Sequence, residues 1–217
     1  FEKKIKIKIP RFIFFTKKQY NKNKEFYFKE IKKKFGNGKI IIRSSSLRED
    51  TVNQSNAGKY KSFKNLEVKR EEIFKYINLV FKDLKNPNDQ VLVQEFISKP
   101  KFSGVIFTRN INSNAPYYII NFDKSGYTDL ITAGKVNPSM RTFVINRDKI
   151  KTVAFFGKKL ISINKIEKIF HNDRLDIEFC IKNNNLYIFQ CRPLKTIAKA
   201  DDYKIKEALV NISKKIK

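Results

Sequence analysis

Residues 176–194, DIEFCIKNNNLYIFQCRPL, contain two alternating apolar runs on either side of a short asparagine-rich stretch, which is the pattern of a β-hairpin. We take a three-residue loop at 183–185, so that Lys182 faces Leu186. The opposing pairs are then Cys180 with Ile188, Glu178 with Gln190, and Asp176 with Arg192. Because side chains on a strand alternate with period two, these six side chains share one face, and the other face is a core surface.

The polar quartet at the open end of this hairpin has two interpretations. It can be two cross-strand pairs on a solvated face, each worth a few tenths to ~1 kcal/mol. It can also be a metal–phosphate site, because carboxylate and amide oxygens suit Mg²⁺ and arginine offers a planar fork to phosphate oxygens. The hairpin does not decide between them.

The remaining patterns predict an α+β chain. We expect helices at 16–35, 67–85 and 162–170, with Ser162 as an N-cap of the last, and a basic helix after Pro193. We expect strands at 5–15, 39–46, 90–97, 103–109, 117–122, 141–146 and 152–156, and a polar loop at 47–65. The helix at 67–85 carries an apolar stripe of Ile73, Ile77, Val80, Phe81 and Leu84.

The formal charge of +26 comes from 47 Lys and Arg against 21 Asp and Glu. Such a charge favours polyphosphate, nucleic acid or acidic membrane surfaces. It also fits the amino-acid composition that an AT-rich genome encodes, which is rich in lysine and asparagine. The basic residues are scattered along the chain, and most of them are lysine. We favour solvated lysine over a nucleic-acid footprint.

The chain begins at Phe1 without an initiator Met or a signal-peptide core, so we expect a fragment of a longer protein. Its apolar stretches are too short for a transmembrane helix. The two cysteines, Cys180 and Cys191, fall on opposite faces of the predicted hairpin, so we expect no disulfide between them. The default prediction is a cytoplasmic protein.

Two further segments carry candidate binding residues. In IIIRSSS, an apolar strand ends in Arg43, Ser44 and Ser45, and a guanidinium with neighbouring hydroxyls can bind an anion. In VLVQEFI, Gln94 and Glu95 end a strand of the kind whose backbone amides read adenine in a two-lobed nucleotide site. Each segment taken by itself also fits an ordinary strand.

Taken together, these segments resemble the nucleotide-binding domain of the pyruvate phosphate dikinase and phosphoenolpyruvate synthase family, a variant of the ATP-grasp fold. The motifs that carry the resemblance, in order, are IIIRSSSLREDTVNQSNAG, VLVQEFI, SGVIFTR, and DIEF with LYIFQCRP. Their order and spacing match across about residues 5–195.

The resemblance implies a two-lobed ATP-grasp-like domain with mixed or antiparallel sheets and a nucleotide cleft between the lobes. The N-terminal lobe would span 1–90, the C-terminal lobe 91–200, and a basic helix or linker 201–217. ATP and Mg²⁺ are the implied cofactors. The altered segment KSGYTDLITAG, where the family has GLGE, favours a specialised relative such as a glutamine kinase.

The resemblance also assigns roles to single residues. Arg43 matches the arginine that contacts the ATP phosphates, and Gln94 and Glu95 fall at the adenine hinge. Glu178 and Gln190 match ligands of metal and phosphate, with Asp176 and Arg192 beside them. Asp129 is the nearest equivalent of the second acidic ligand.

The expected function is transfer of phosphate from Mg·ATP to a histidine on a separate swivelling domain, and then to a small acceptor such as pyruvate or a glutamine amide. The family's phosphate-binding lysine would precede residue 1. His171, the single histidine, lacks the phosphocarrier context and is expected to be structural or exposed. The alternatives are a basic nucleic-acid-binding module and a catalytically degenerate ATP-grasp scaffold.

Overall fold

The structure, a computed structural model, describes residues 7–45, 61–84, 86, 88–123, 139–153 and 156–194. The chain divides into two compact units: Ile9–Lys99 form one, and the residues on either side of that range form the other. Each unit has its own sheet and its own hydrophobic core. Among the described helices, none has the length and apolar character that crossing a membrane requires.

The unit Ile9–Lys99 contains a four-stranded antiparallel sheet in the order β1-β4-β2-β3. Its elements are β1 Phe12–Thr16, α1 Lys17–Lys22, α2 Lys24–Phe35, β2 Ile40–Ser45, β3 Ser62–Leu66, α3 Arg70–Asp83 and β4 Gln90–Glu95. The single helix predicted over 16–35 is two helices. Thr16 caps α1 in a capping box with Gln19, and the Asn23 side chain caps α2 by accepting from Phe26 N–H.

The helices cover one face of this sheet. Ile73, Ile77, Val80 and Phe81 of α3 are buried in one core cluster with Ile40, Ile42, Val91 and Val93 of the central strands. The apolar stripe predicted for this helix is therefore confirmed. Because strand side chains alternate, Ile41 and Arg43 of β2 point to the opposite face of the sheet.

The other unit contains a five-stranded antiparallel sheet in the order β7-β6-β5-β8-β9. Its elements are β5 Phe102–Phe107, β6 Tyr117–Asp123, β7 Arg141–Asn146, a 3₁₀ helix Arg147–Thr152, α4 Gly157–Phe170, β8 Leu175–Lys182 and β9 Asn185–Pro193. Leu160, Ile163 and Ile166 of α4 share a core cluster with Ile106, Ile120 and Ile177 of the sheet. One face of the sheet is thus packed under α4.

Three further predictions are wrong. The strand predicted at 152–156 is absent from its described residues, since Thr152 ends the 3₁₀ helix and Phe156 immediately precedes α4. The aromatic ring of Phe156, which contributed to the strand prediction, packs instead against the rings of Phe102, Phe122 and Phe143. Ser162 does not cap α4, because the helix starts at Gly157 and Ser162 is buried within it. Residues 62–65, predicted as loop, form most of β3, which pairs with β2.

The α+β class with antiparallel sheets is confirmed. The lobe boundary expected at residue 90 falls inside the first unit, because β4 is hydrogen bonded to β1 and β2 and the unit extends to Lys99. At the other end, Lys8 belongs with the five-stranded sheet: its N–H donates to Leu186 O at 2.8 Å, and its carbonyl accepts from Ile188 N–H at 3.0 Å. The helix predicted after Pro193 lies outside the described residues.

Candidate nucleotide-binding site

The hairpin β8–β9 turns through two residues, not three. Lys182 pairs with Asn185, and the turn residues Asn183 and Asn184 have φ angles of 50° and 61°. Two successive left-handed residues are the requirement of a type I′ turn, and asparagine adopts that conformation more readily than most residues. The predicted three-residue loop, with Lys182 facing Leu186, is wrong at this point.

A β-bulge at Phe189 nevertheless brings the polar pairs into the predicted register. Phe179 pairs with Ile188, whereas Glu178 pairs with Gln190, so Phe189 is an extra residue on β9. The predicted pairs Glu178–Gln190 and Asp176–Arg192 are confirmed. The predicted pair of Cys180 with Ile188 is wrong, because the two-residue turn pairs Cys180 with Tyr187 and places Ile188 on the α4 side, where it is 7% exposed in the core.

The open end of the hairpin therefore presents four polar side chains on the face opposite α4. Arg192 donates from Nε to Asp176 Oδ2 at 2.9 Å, and its Nη2 forms an ion pair with the same oxygen at 2.8 Å. The arginine is thereby oriented beside the neighbouring pair, Glu178 and Gln190, both of which are half-buried. Carboxylate and amide oxygens at adjacent positions are hard ligands of the type Mg²⁺ prefers.

These two side chains fit a magnesium ion that shares ATP phosphates. Mg²⁺ in such sites is held by one or two carboxylates and keeps its remaining positions for water and phosphate oxygens. Within the described part of the chain, no group of three His, Cys, Asp or Glu side chains could hold a metal ion. Asp129, the third predicted ligand, lies outside the described residues.

The sheet register adds polar residues that the sequence analysis missed. Val105 of β5 pairs with Glu178 on one side and with Asn121 of β6 on the other, so Asn121 and Glu178 lie on the same face. Thr142 donates from its hydroxyl to Asn121 Oδ1 at 2.7 Å. Asp123, fully buried two residues further along β6, accepts from the Ser139 hydroxyl at 2.8 Å. The alternation in YYIINFD already places Asn121 and Asp123 on one face.

Arg43 lies on the open face of the four-stranded sheet. It pairs with Leu92 of β4 and with Ser62 of β3, on the side away from the helices. Ser45 is on the same face and exposed, whereas Ser44 is on the helix side and 8% exposed. Of the predicted trio, the geometry thus presents Arg43 and Ser45 together.

Gln94 and Glu95 point to opposite faces of the sheet. Gln94 lies on the same face as Arg43, since it pairs with Ile41, and it is 3% exposed. The Glu95 carboxylate forms two hydrogen bonds with the Arg11 guanidinium, from Nε and Nη2, both at 3.1 Å. The Glu95 amide donates to Arg11 O at 2.8 Å, so this N–H is used within the sheet.

Comparisons with known proteins identify a matching family and similar proteins. A family model described as "Pyruvate phosphate dikinase, AMP/ATP-binding domain" matches residues 17–164, more than half of the chain. A curated relative, "Uncharacterized phosphotransferase YvkC" from Bacillus subtilis (strain 168), is 23% identical over 205 residues. The alignment covers 73% of this chain and 24% of the relative, so the chain spans about a quarter of that protein's length.

Three ligases are among the solved structures that are similar to this chain. The D-alanine–D-alanine ligase from Coxiella burnetii has a TM-score of 0.47 at 12% identity, covering 95% of this chain and 49% of that chain. The Bacillus anthracis ligase complexed with ATP scores 0.47 at 14% identity, covering 96% and 57%. An ATP-grasp ligase from Chryseobacterium gregarium scores 0.46 at 13% identity, covering 87% and 48%.

The family match extends from α1 into α4, and the polar hairpin lies beyond its end. The matched range contains Arg43 and covers more than half of the chain. The chain belongs to the pyruvate phosphate dikinase AMP/ATP-binding domain family.

Proposed function

We propose that this chain is the ATP-binding domain of a dikinase-type phosphotransferase. It would take phosphate from Mg·ATP and pass it to a histidine on a separate domain of the parent protein. A small molecule, such as pyruvate or the amide of glutamine, would be the final acceptor. The observation that carries the proposal is the side-by-side placement of Glu178–Gln190 and Asp176–Arg192 on the exposed side of the hairpin.

Each residue has a task set by its chemistry. Glu178 and Gln190 would hold Mg²⁺, together with Asp129, and the ion would neutralise charge on the ATP phosphates. The Arg43 guanidinium would donate to phosphate oxygens, and its planar fork suits such an acceptor. Phosphoryl transfer depends mainly on positioning and charge neutralisation, so the chain needs no nucleophile of its own.

Other residues would orient these groups and the nucleotide. Arg192 is held by Asp176 through a hydrogen bond and an ion pair, so it would be oriented beside Gln190 before ATP binds. Gln94 and Ser45 share the open face with Arg43 and would contact the nucleotide there. For Glu95 we propose an indirect role, since its carboxylate is engaged by Arg11.

Nucleotide-dependent stabilisation tests the proposal. Mg·ATP at 100 times its dissociation constant should raise the free energy of unfolding by about 2.7 kcal/mol. We expect Glu178→Ala to remove most of this gain in a thermal melt, because the site loses its carboxylate ligand. Glu71→Ala, an exposed carboxylate on α3, is the matched control and should keep the gain. A degenerate scaffold would show no gain in any variant.

A further inference from the structure

A second site lies beside the C-terminal half of α4. A pocket of about 450 Å³ opens there, lined by Arg147, Asn164, Glu167, Lys168, His171, Asn172, Asp173 and Arg174. Glu167 accepts a hydrogen bond from Tyr118, which belongs to the core between the sheet and α4. Glu178 and Gln190 point to the opposite face of the same sheet, so the pocket is separate from the proposed magnesium site.

The two carboxylates of this pocket are already neutralised. Glu167, 4% exposed, accepts from both terminal nitrogens of Arg147, at 2.7 and 2.6 Å. Tyr118 Oη and Asn164 Nδ2 also donate to it, at 2.9 and 3.2 Å. A carboxylate with four donors and a bidentate arginine contributes little net negative charge to the pocket.

Asp173 is neutralised in the same manner. Arg109 donates to Asp173 Oδ2 from Nε and Nη2, at 3.1 and 2.6 Å. Burial would raise the pKa of the Asp173 carboxyl, but the hydrogen bonds and charge of Arg109, with the charges of Arg147 and Arg174, hold that pKa below its usual value. The carboxylate therefore stays ionised and paired.

Three nitrogen-bearing side chains of the lining remain available to a ligand. Among the residues that the structure describes, no hydrogen-bond partner is found for the side chains of Lys168 and His171. Arg174 uses Nε to donate to Asn114 Oδ1 at 3.1 Å, which orients the guanidinium and leaves its terminal nitrogens for a further acceptor. The pocket thus combines an ammonium, an imidazole and a fixed guanidinium.

The helix end that meets this pocket is capped. The carboxyl end of a helix disfavours an anion unless its last carbonyls are satisfied. Asn172 N–H donates to Glu167 O at 3.0 Å, and His171 N–H donates to Lys168 O at 3.4 Å. His171 achieves this by adopting a left-handed backbone conformation with φ of 48°, which is costly for most side chains.

We propose that this pocket binds a phosphate group, either free phosphate or the phosphoryl group of a small molecule, through Lys168, His171 and Arg174. The volume of about 450 Å³ lies within the range of small-molecule sites and exceeds what one phosphate fills. Arginine and lysine together supply the planar fork and the point charge that phosphate oxygens accept. Asn164 and Asn172 give the remaining wall a polar character that suits a hydrophilic ligand.

Phosphate binding to this pocket can be followed by NMR through a single side chain. His171 is the single histidine, so the imidazole resonances in an NMR spectrum report on this pocket without further assignment. We expect inorganic phosphate, added at constant ionic strength, to shift these resonances with a saturable curve. O-phosphoserine in a parallel titration separates the two sources: tighter binding than phosphate identifies a phosphorylated small molecule, and equal binding identifies free phosphate.

Variants decide whether the named side chains are responsible. Combining Lys168→Gln with Arg174→Gln should raise the phosphate dissociation constant roughly tenfold or more, because two charge-assisted contacts are lost. Lys165→Gln, on the same helix and outside the lining, should leave it unchanged. The proposal is overturned if chloride reproduces the shift, if no saturation occurs, or if the double variant binds phosphate as tightly as the wild type.

Discussion

Replacing Arg43 with alanine is expected to slow ATP-dependent phosphoryl transfer by the parent protein roughly 10²- to 10³-fold, the usual effect of removing one donor to transition-state charge. Arg43 lies on the open face of the four-stranded sheet, where it can present its guanidinium to phosphate oxygens. Arg43→Lys should recover part of the rate, because lysine keeps the charge and loses the planar fork. ATP consumption under single-turnover conditions measures the effect.

A matched arginine provides the control for this experiment. Arg70 is an exposed residue on α3 that pairs with Glu25, away from the proposed site. Exposed ion pairs contribute little to stability, so Arg70→Ala should leave both folding and transfer close to wild type. A rate for Arg43→Ala equal to that of Arg70→Ala would exclude a role for Arg43 in transfer.

Gly104→Ala is expected to destabilise the five-stranded sheet by at least about 3 kcal/mol, at the upper end of the cost of over-packing. Gly104 lies in β5 between β6 and β8. A Cβ atom there would lie 2.0 Å from Asn121 O and 2.8 Å from Phe122 Cα. Both are backbone atoms, which cannot rotate away as the end of a side chain can. The glycine in the motif SGVIFTR is thus required by the close approach of β6.

Denaturant unfolding followed by circular dichroism measures this cost. Gly36→Ala is the comparison, because a Cβ atom at Gly36 meets nothing within 4 Å and the substitution suffers only from the positive φ of 58°. At this φ and a ψ of −122° the backbone penalty is on the order of 1–3 kcal/mol. If Gly104→Ala unfolds at the wild-type midpoint, the close packing of β5 on β6 at this position is incorrect.

The hairpin part of the candidate site was predictable from the sequence, because the alternation of apolar residues determines how two neighbouring strands pair. Glu178 and Gln190 could be paired from the sequence because apolar alternation fixes the faces of both strands. The turn was mispredicted because three consecutive asparagines fit a two-residue or a three-residue loop equally well. The two-residue turn shifted the register by one residue and so exchanged the faces of Tyr187 and Ile188, and the bulge at Phe189 restored the predicted register beyond it.

Long-range pairing was not predictable from local patterns. Arg109 and Asp173 are 64 residues apart in the sequence, and Arg147 and Glu167 are 20 residues apart. Both ion pairs nevertheless contribute residues to the lining of the same pocket. Nothing in the local sequence distinguishes these charges from the many solvated lysines of a chain with a formal charge of +26. The sheet order brings β5 beside β8 and so places Arg109 near Asp173, whereas Arg147 of the 3₁₀ helix meets Glu167 of α4.

Anomalous diffraction from manganese tests the cation-binding role of the hairpin most directly. Mn²⁺ prefers the same oxygen ligands as Mg²⁺ and scatters anomalously. In crystals grown with Mn²⁺ and a non-hydrolysable ATP analogue, we predict an anomalous peak in contact with the Glu178 carboxylate, the Gln190 amide oxygen and the phosphates. A nucleotide bound with its metal elsewhere, or with these two side chains outside its coordination shell, would contradict the proposed site.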